Sequence, residues 1–376
     1  MPQIQFDDLD GTLAMLRESI AAFAERQPGT ASVRARRAAG GRLDTGLWSE
    51  MADAGWTGLL VPEELGGAGL GVTEQAALSE GLGRALISEP IAAGCVFSAM
   101  LLADAGQSAE RDRLLAVLVD GSGIVMPAWQ NPPRHARGEP LNARDDGDAV
   151  ILDGNRHYVD AASAATDFLV VAPLGGEAVL VSVPAGSPGL KIEERAGVDG
   201  GMVASLSFFG CRIPASHVLA RGVSVEALIE KPTQYARIAI AAELAGIAAK
   251  AVEMTIAYTK DRVQFGKPIA SFQVVQHRLV DMWSDAEFAC ASVANAVERL
   301  GEGDAQAARL AVLAAKARCG DAAVSVCRRA VHLHGAMGFT DEHDIGLYLK
   351  RAVSLSSTLG QPEGLRRQFV ELERAA

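Results

Sequence analysis

The spacing of apolar residues changes twice along this chain of 376 residues. Over the first 121 residues, apolar positions recur at the spacing of a helix face, as at Leu13, Leu16, Ile20 and Phe23. Between about 122 and 222, short apolar runs alternate with turn residues about every ten positions, a pattern typical of an all-β domain. Long Ala-rich stretches with few helix breakers then follow and indicate a helical bundle.

These patterns predict an α+β chain with three domains. We expect an N-terminal helical domain over 1–121, a middle β-barrel or β-sandwich domain over 122–222, and a C-terminal four-helix bundle over 223–376. Strands are predicted over the apolar runs 124–126, 149–152, 167–172, 178–183, 190–192 and 205–209. Long helices are predicted over 237–258, 274–300 and 305–332.

Composition excludes several classes of partner and location. The net charge is −11 without a block of basic residues, so nucleic acid is not expected as a partner. No run reaches the ~18 uncharged apolar residues of a membrane span. The first residues lack the basic and apolar regions of a secretory signal, and the five cysteines include no CxxC pair. We therefore expect a cytoplasmic protein with reduced thiols.

Three segments stand out, although each has an ordinary structural interpretation. The glycines of 66–71 do not fit GxGxxG and by themselves indicate a surface turn. Arg262, after a long apolar helix, could simply complement the helix dipole. Ser271 could cap the helix that follows it. His332 and His334 have HxH spacing, but the charged residues around them do not complete a metal motif, so no metal is expected.

Taken together, these segments resemble the acyl-CoA dehydrogenase family over nearly the whole chain. The resemblance is carried by GWTGLLVPEELGGAGLG (55–71), DRVQFGKPIASFQ (261–273) and HLHGAMGFTDEHDIGLYLKRA (332–352). It implies an FAD-binding flavoprotein that removes two hydrogens from an acyl-CoA thioester. It further implies electron-transfer flavoprotein or a similar electron acceptor, and a homo- or heterotetramer.

The resemblance also assigns candidate residues for binding FAD. In the family, the Arg and the nearby Gln of this motif meet the diphosphate and adenosine part of FAD bound mostly by a neighbouring subunit, and the resemblance assigns this role to Arg262, Phe265 and Gln273. A guanidinium suits phosphate because it can bond two of its oxygens at once. His332 stands where the family usually has Gln, and Gly335 matches a family glycine. In the middle domain, Ala128, Tyr158 and Val159 occupy places that contact the flavin ring in the family.

The family needs a carboxylate to remove the α-proton of the thioester, and both usual places for it lack one. Most members have Glu where this chain has Leu359. A minority have it immediately before the Arg that corresponds to Arg237, a candidate for binding substrate, and here that residue is Ala236. Glu243 and Glu363 are the two carboxylates nearby in sequence that could act instead. Glu243 lies in an apolar run, so we expect it to have a specific hydrogen bond.

Three functions are compatible with this pattern. The first is the subunit without a catalytic base in a heteromeric acyl-CoA dehydrogenase, whose partner subunit carries the base. The second is a self-sufficient homotetrameric dehydrogenase with a displaced base. The third is a flavin oxidase or monooxygenase, or a non-catalytic scaffold, on the same fold. The first best explains why both base positions are empty beside a retained Arg262 motif.

Overall fold

The structure is a computed structural model that describes residues 1–131 and 139–374. Eleven α-helices lie within these residues: α1 (Thr12–Arg26), α2 (Gly29–Ala38), α3 (Thr45–Asp53), α4 (Val72–Ala85), α5 (Ser98–Ala103), α6 (Ala109–Val119), α7 (Val225–Asp261), α8 (Gln273–Gly301), α9 (Ala305–His334), α10 (Ile345–Ser357) and α11 (Pro362–Arg374). A π-helical turn, Ala92–Phe97, precedes α5. None of the helices in the described ranges has the length and apolar character that a membrane crossing requires.

Ten strands form three sheets in the same residues. The strands are β1 (Val125–Ala128), β2 (Asn142–Asp145), β3 (Ala149–Asp160), β4 (Asp167–Leu174), β5 (Glu177–Pro184), β6 (Leu190–Ala196), β7 (Met202–Pro214), β8 (Val218–Val223), β9 (Val263–Gln264) and β10 (Lys267–Pro268). Two sheets have four strands each, in the orders β1-β4-β5-β8 and β2-β3-β7-β6. The third is the two-stranded hairpin of β9 and β10.

The contacts divide the chain into two compact units. One unit combines Met1–Ala35, Val72–Ser88 and Arg237–Ala376, and the other combines Arg36–Gly71 and Glu89–Ala236. These units follow contacts and not the order of elements, so the predicted domain limits at 121 and 222 stay predictions. The type of element nevertheless changes near those limits, between α6 and β1 and between β8 and α7.

Long helices form the bundle of the first unit. The Ala-rich stretch of α7 is buried almost continuously from Ile238 to Val252, because small side chains let neighbouring helices approach it from several sides. A Cβ atom on Gly83 of α4 would come within 2.2 Å of the Glu243 carbonyl oxygen of α7, so this crossing requires glycine. Five helices, α7 to α11, occupy the predicted four-helix region. The additional helix, α11, packs on α9 through Leu365.

The second unit contains the two four-stranded sheets, which pack against each other through β1 and β3 and through β2 and β4. Strands β4 and β5 are buried along most of their length, which explains why they read as continuous apolar runs. The predicted β domain is therefore two packed sheets. All six predicted runs overlap strands, although Ile124 lies just before β1. Strands β2 and β8 were not predicted, because polar residues dominate β2 and Gly222 interrupts β8.

Two local predictions can be compared directly with the structure. The five cysteines are buried with free thiols, as expected from their spacing. The capping role predicted for Ser271 is wrong: Phe272 is the N-cap of α8 and makes no side-chain cap, while the Ser271 hydroxyl donates to the Pro268 carbonyl. Ser271 instead closes the short 3-10 turn Ile269–Ser271 that precedes α8.

Candidate functional site

The turn that follows α10 carries Leu359, one of the two expected base positions, and contacts Arg237. Arg237, near the start of the buried part of α7, donates a hydrogen bond from Nε to the Leu359 carbonyl oxygen at 3.0 Å. Burial lowers the pKa of Arg237 to about 10, and the positive charge of Arg309 contributes to this lowering. Ala236, fully buried, immediately precedes Arg237. Arg237 and Leu359 are therefore in contact, and neither Leu359 nor Ala236 supplies a carboxylate.

The backbone of this turn is strained. Leu359 has φ +55° and Gly360 has φ +123°, and the second value is one that residues other than glycine rarely adopt. A Cβ atom on Gly360 would also lie 2.6 Å from the Leu365 side chain. Such strain typically costs about 1–3 kcal/mol per residue and persists only where the surroundings impose it. Residue 359 is therefore held in a left-handed backbone conformation, although it is leucine.

Lys316, which no sequence motif indicated, donates hydrogen bonds to this turn from a neighbouring helix. It lies on α9, is 0% exposed, and donates from Nζ to the carbonyl oxygens of Ser356 at 3.1 Å and Gly360 at 3.4 Å. A lysine inside the apolar run AVLAAKA was the available signal, because an amine is rarely buried without polar partners. The run was interpreted only as a helix.

The two alternative carboxylates differ in their surroundings. Glu243 is 9% exposed, and its Oε1 accepts a hydrogen bond from Arg351 Nε at 2.7 Å, so the structure has the specific hydrogen bond expected for it. Glu363 is exposed in the first turn of α11, not in a loop, where its charge complements the positive end of the helix dipole. Their assignment as alternative bases stays a prediction.

We expect Glu243→Gln to lower the free energy of unfolding by about 1–3 kcal/mol, because the amide cannot match the carboxylate as partner for the partly buried Arg351 guanidinium. Urea denaturation measures the change. Glu363→Gln is the control, with an expected effect within about 0.5 kcal/mol for an exposed position. Unchanged stability together with lost turnover in Glu243→Gln would contradict a structural role and identify Glu243 as the base.

The hairpin of β9 and β10 carries the residues expected to meet FAD. Its tip is Phe265 and Gly266, both with positive φ, which is the geometry of a tight two-residue turn. Phe265 is 92% exposed and packs edge-on against Phe272 at 6.1 Å between ring centroids. Holding a bulky residue in a left-handed conformation in solvent is unfavourable, so the hairpin has the features of a binding element.

Arg262 and Gln273 flank this hairpin. Arg262 directly follows α7, where its amide donates to the Tyr258 carbonyl oxygen, and Gln273 is the first residue of α8. Both are exposed. Within the described ranges, no carboxylate lies within 4.0 Å of the Arg262 guanidinium, so its donors are available to an anionic ligand such as a diphosphate. The arrangement fits the role that the resemblance implies.

The end of α9 supplies two further candidates. His332 is exposed and accepts a hydrogen bond at Nδ1 from Arg278, so in its neutral form Nε2 carries the proton and can donate to a ligand. Gly335 ends the helix with φ +61° and ψ −138°, a conformation open to glycine, and space remains where a Cβ atom would be.

His334 differs from His332, because it is buried and stacked on Tyr258 at 4.3 Å between ring centroids. Its Nδ1 bonds the Ala330 carbonyl oxygen, and burial lowers its pKa. The two histidines of the HxH segment therefore have separate surroundings. In the described part of the chain, no group of three or more His, Cys, Asp or Glu side chains could hold a metal ion.

The remaining flavin candidates lie in the second unit. A β-bulge interrupts the pairing of β3 with β7 between Arg156 and Val159. At this bulge Tyr158 has φ +59° and is 50% exposed, while Val159 and Ala128 are buried. Arg156, at the edge of the bulge in sequence, is buried and donates to the Val171 carbonyl oxygen, and burial lowers its pKa to about 10. The bulge thus presents one aromatic side chain to solvent from a rigid strand.

Two family models match this chain. The model for the acyl-CoA dehydrogenase N-terminal domain matches residues 11–122, and the model for the C-terminal domain matches residues 226–371. The acyl-CoA dehydrogenase IpdE2 of Mycobacterium tuberculosis is 32% identical over 94% of this chain and 95% of its own. The chain therefore belongs to the acyl-CoA dehydrogenase family, flavoprotein oxidoreductases that act on CH–CH bonds. The sequence-based identification of family and fold is confirmed.

Solved structures give the same fold. The ChsE4–ChsE5 complex from Mycobacterium tuberculosis superposes with a TM-score of 0.90 and 26% identity, covering 99% of both chains. A variant of the Tcur3481–Tcur3483 steroid acyl-CoA dehydrogenase superposes with a TM-score of 0.87 and 29% identity, covering 98% of this chain and 99% of that one. Both structures contain two different polypeptides, as their names state.

Proposed function

We propose that this chain is the subunit without a catalytic base in a heteromeric, FAD-dependent acyl-CoA dehydrogenase. The observation that carries the proposal is the turn at Leu359, which has a strained backbone and a hydrogen bond from Arg237 but no carboxylate. When bound, FAD would accept the β-hydride of the acyl chain; the base would come from a partner of the same family. The similarity to the ChsE4–ChsE5 and Tcur3481–Tcur3483 complexes supports a second, related polypeptide.

The surface of α8 supports assembly with such a partner. Four of its large apolar side chains are substantially exposed: Val274, Val280, Trp283 and Phe288. Contiguous apolar patches mark contact surfaces in soluble proteins, and we infer that these four side chains belong to such a surface. We infer a tetramer, of one or two kinds of subunit, in the cytoplasm, which passes electrons to electron-transfer flavoprotein or a similar acceptor. The substrate would be an acyl-CoA thioester, with Arg237 among the residues that contact it.

Arg262, Phe265, Gln273, His332 and Gly335 would hold FAD through the exposed donors and open backbone described above. The role of Arg262 would be to bond phosphate oxygens, and Phe265 would offer an apolar face. Ala128, Tyr158 and Val159 would contact the flavin ring. The alternative of a displaced base in a self-sufficient enzyme finds less support, because Glu243 is tied to Arg351 and Glu363 is exposed at the start of α11.

We expect the chain, purified together with its partner, to be yellow, with an absorbance band near ~450 nm from oxidised flavin. Absorbance spectroscopy and flavin released on denaturation test this directly. Sedimentation of the same sample should show a tetramer. A colourless complex that takes up no added FAD would contradict the cofactor assignment, and a monomer with full FAD occupancy would contradict the assembly.

A further inference from the structure

The buried amine of Lys316 lies under the same turn and has no role in the function proposed above. Its two acceptors, the carbonyl oxygens of Ser356 and Gly360, bracket residue 359. Burying an ammonium is costly unless hydrogen bonds compensate, and two backbone carbonyls compensate only in part. The Lys316 side chain therefore bonds the carbonyl oxygens of this turn at a cost in folding stability. A buried methionine or leucine at the same position would avoid that cost.

Positive charge accumulates at this place. Arg237 reaches the turn from α7 and Lys316 from α9. Burial is the main cause that lowers the pKa of Lys316, to about 7, and the charge of Arg237 lowers it as well. Cys319 offers no counter-charge at neutral pH, because burial raises its own pKa to about 12. Among the described residues, no carboxylate lies within 4.0 Å of either cation.

We propose that Lys316 is a positioning residue which, together with Arg237, forms a cationic seat for a carboxylate at residue 359. In this chain the seat holds the strained turn through its carbonyl oxygens alone, because residue 359 is leucine. The proposal rests on the proposed function only for the meaning given to residue 359. The convergence of the Arg237 and Lys316 side chains on one turn is independent of that function, because it is seen directly in their hydrogen bonds.

The seat makes folding stability depend on pH in a defined direction. Burial lowers the pKa of Lys316 to about 7 in the folded chain, below the ordinary value of 10.5 that applies to the unfolded chain. Because the unfolded state binds more protons between these values, the contribution of Lys316 to stability is lowest below pH 7 and rises as the pH increases towards 10. A carboxylate at residue 359 would raise the Lys316 pKa and move this rise to higher pH.

Thermal unfolding of the full chain between pH 6 and 10 tests the proposal. We expect the Tm of wild type relative to Lys316→Met to rise by on the order of a few °C across this range. Leu359→Glu should raise the Tm at pH 7 when Lys316 is present and lower it in the Lys316→Met background. It should also move the pH-dependent rise upward by at least about one pH unit. Leu359→Gln adds a similar polar side chain without charge. It should not raise the Tm at pH 7, and it should not move the pH-dependent rise.

Lys260→Met, at an exposed lysine in the last turn of α7, is the control for loss of a lysine and should leave the pH dependence unchanged. If Lys316→Met does not fold, Lys316→Gln replaces it, and the comparison of Leu359→Glu with Leu359→Gln needs neither variant. A flat pH dependence in all variants, or equal effects of Glu and Gln at residue 359, would overturn the proposal. Because no flavin or turnover is measured, failure of the proposed function leaves this result unaffected.

Discussion

Alone, with FAD and an artificial electron acceptor, the wild-type chain is expected to dehydrogenate saturated acyl-CoA thioesters very slowly or not at all, and Leu359→Glu to raise that rate by about 10²–10⁴-fold. The α-proton of a thioester is weakly acidic, so a positioned base has a large effect. The turn has a left-handed backbone at Leu359, with φ +55°, and accepts a hydrogen bond there from Arg237. The two nearby cations would keep an introduced carboxylate ionised.

Stopped-flow or steady-state assays with the acceptor dye measure this rate, and Leu359→Gln is the matched control that should give no increase. Turnover of wild type at an ordinary ~1–10³ s⁻¹ would contradict the proposal, because a carboxylate outside the two usual places must then act. Glu243→Gln and Glu363→Gln would be the first substitutions made to find that carboxylate. The variant that loses turnover and keeps flavin absorbance would identify the base. If both keep turnover, the site lies outside the C-terminal bundle.

The order of elements could be predicted from the sequence because each element has a strong pattern. The apolar runs of β4 and β5 are buried on both faces, and the Ala-rich stretch of α7 is buried from several sides. Strand β2 has the pattern NARD and only one buried residue, so its place is set by pairing with β3 and not by its own sequence. Composition of a segment cannot reveal such pairing.

The candidate site could be predicted only where a motif specifies it. Phe265 was expected from its motif to be a cofactor-binding residue, and the structure shows it exposed at the strained tip of a hairpin that was not predicted. By contrast, the partners of buried charges are distant in sequence. Glu243 meets Arg351, which is 108 residues away, and Lys316 meets Gly360, which is 44 residues away. The sequence predicted that Glu243 needs a partner but could not identify it, because the fold alone brings α7 and α10 together.

Arg262→Ala is expected to weaken FAD binding about 10- to 100-fold and to change the stability of the fold much less. A charge-assisted, two-point bond between guanidinium and phosphate is worth roughly 1.5–3 kcal/mol, and each 1.4 kcal/mol corresponds to a tenfold change in Kd. The exposed guanidinium follows the end of α7, where a cation stabilises the helix by only about 0.3–1 kcal/mol. The substitution should therefore lower the affinity for FAD much more than it lowers the free energy of unfolding.

Titration of the flavin-free complex with FAD, followed by flavin fluorescence, measures the first quantity, and urea denaturation of the flavin-free protein measures the second. Lys260→Ala is the matched control, because Lys260 is an exposed cation in the last turn of the same helix but lies outside the motif. It should lose a similar small amount of stability and keep its FAD affinity. Equal, small losses of both quantities in Arg262→Ala and Lys260→Ala would show that Arg262 only complements the helix dipole, and FAD would then have to be held elsewhere.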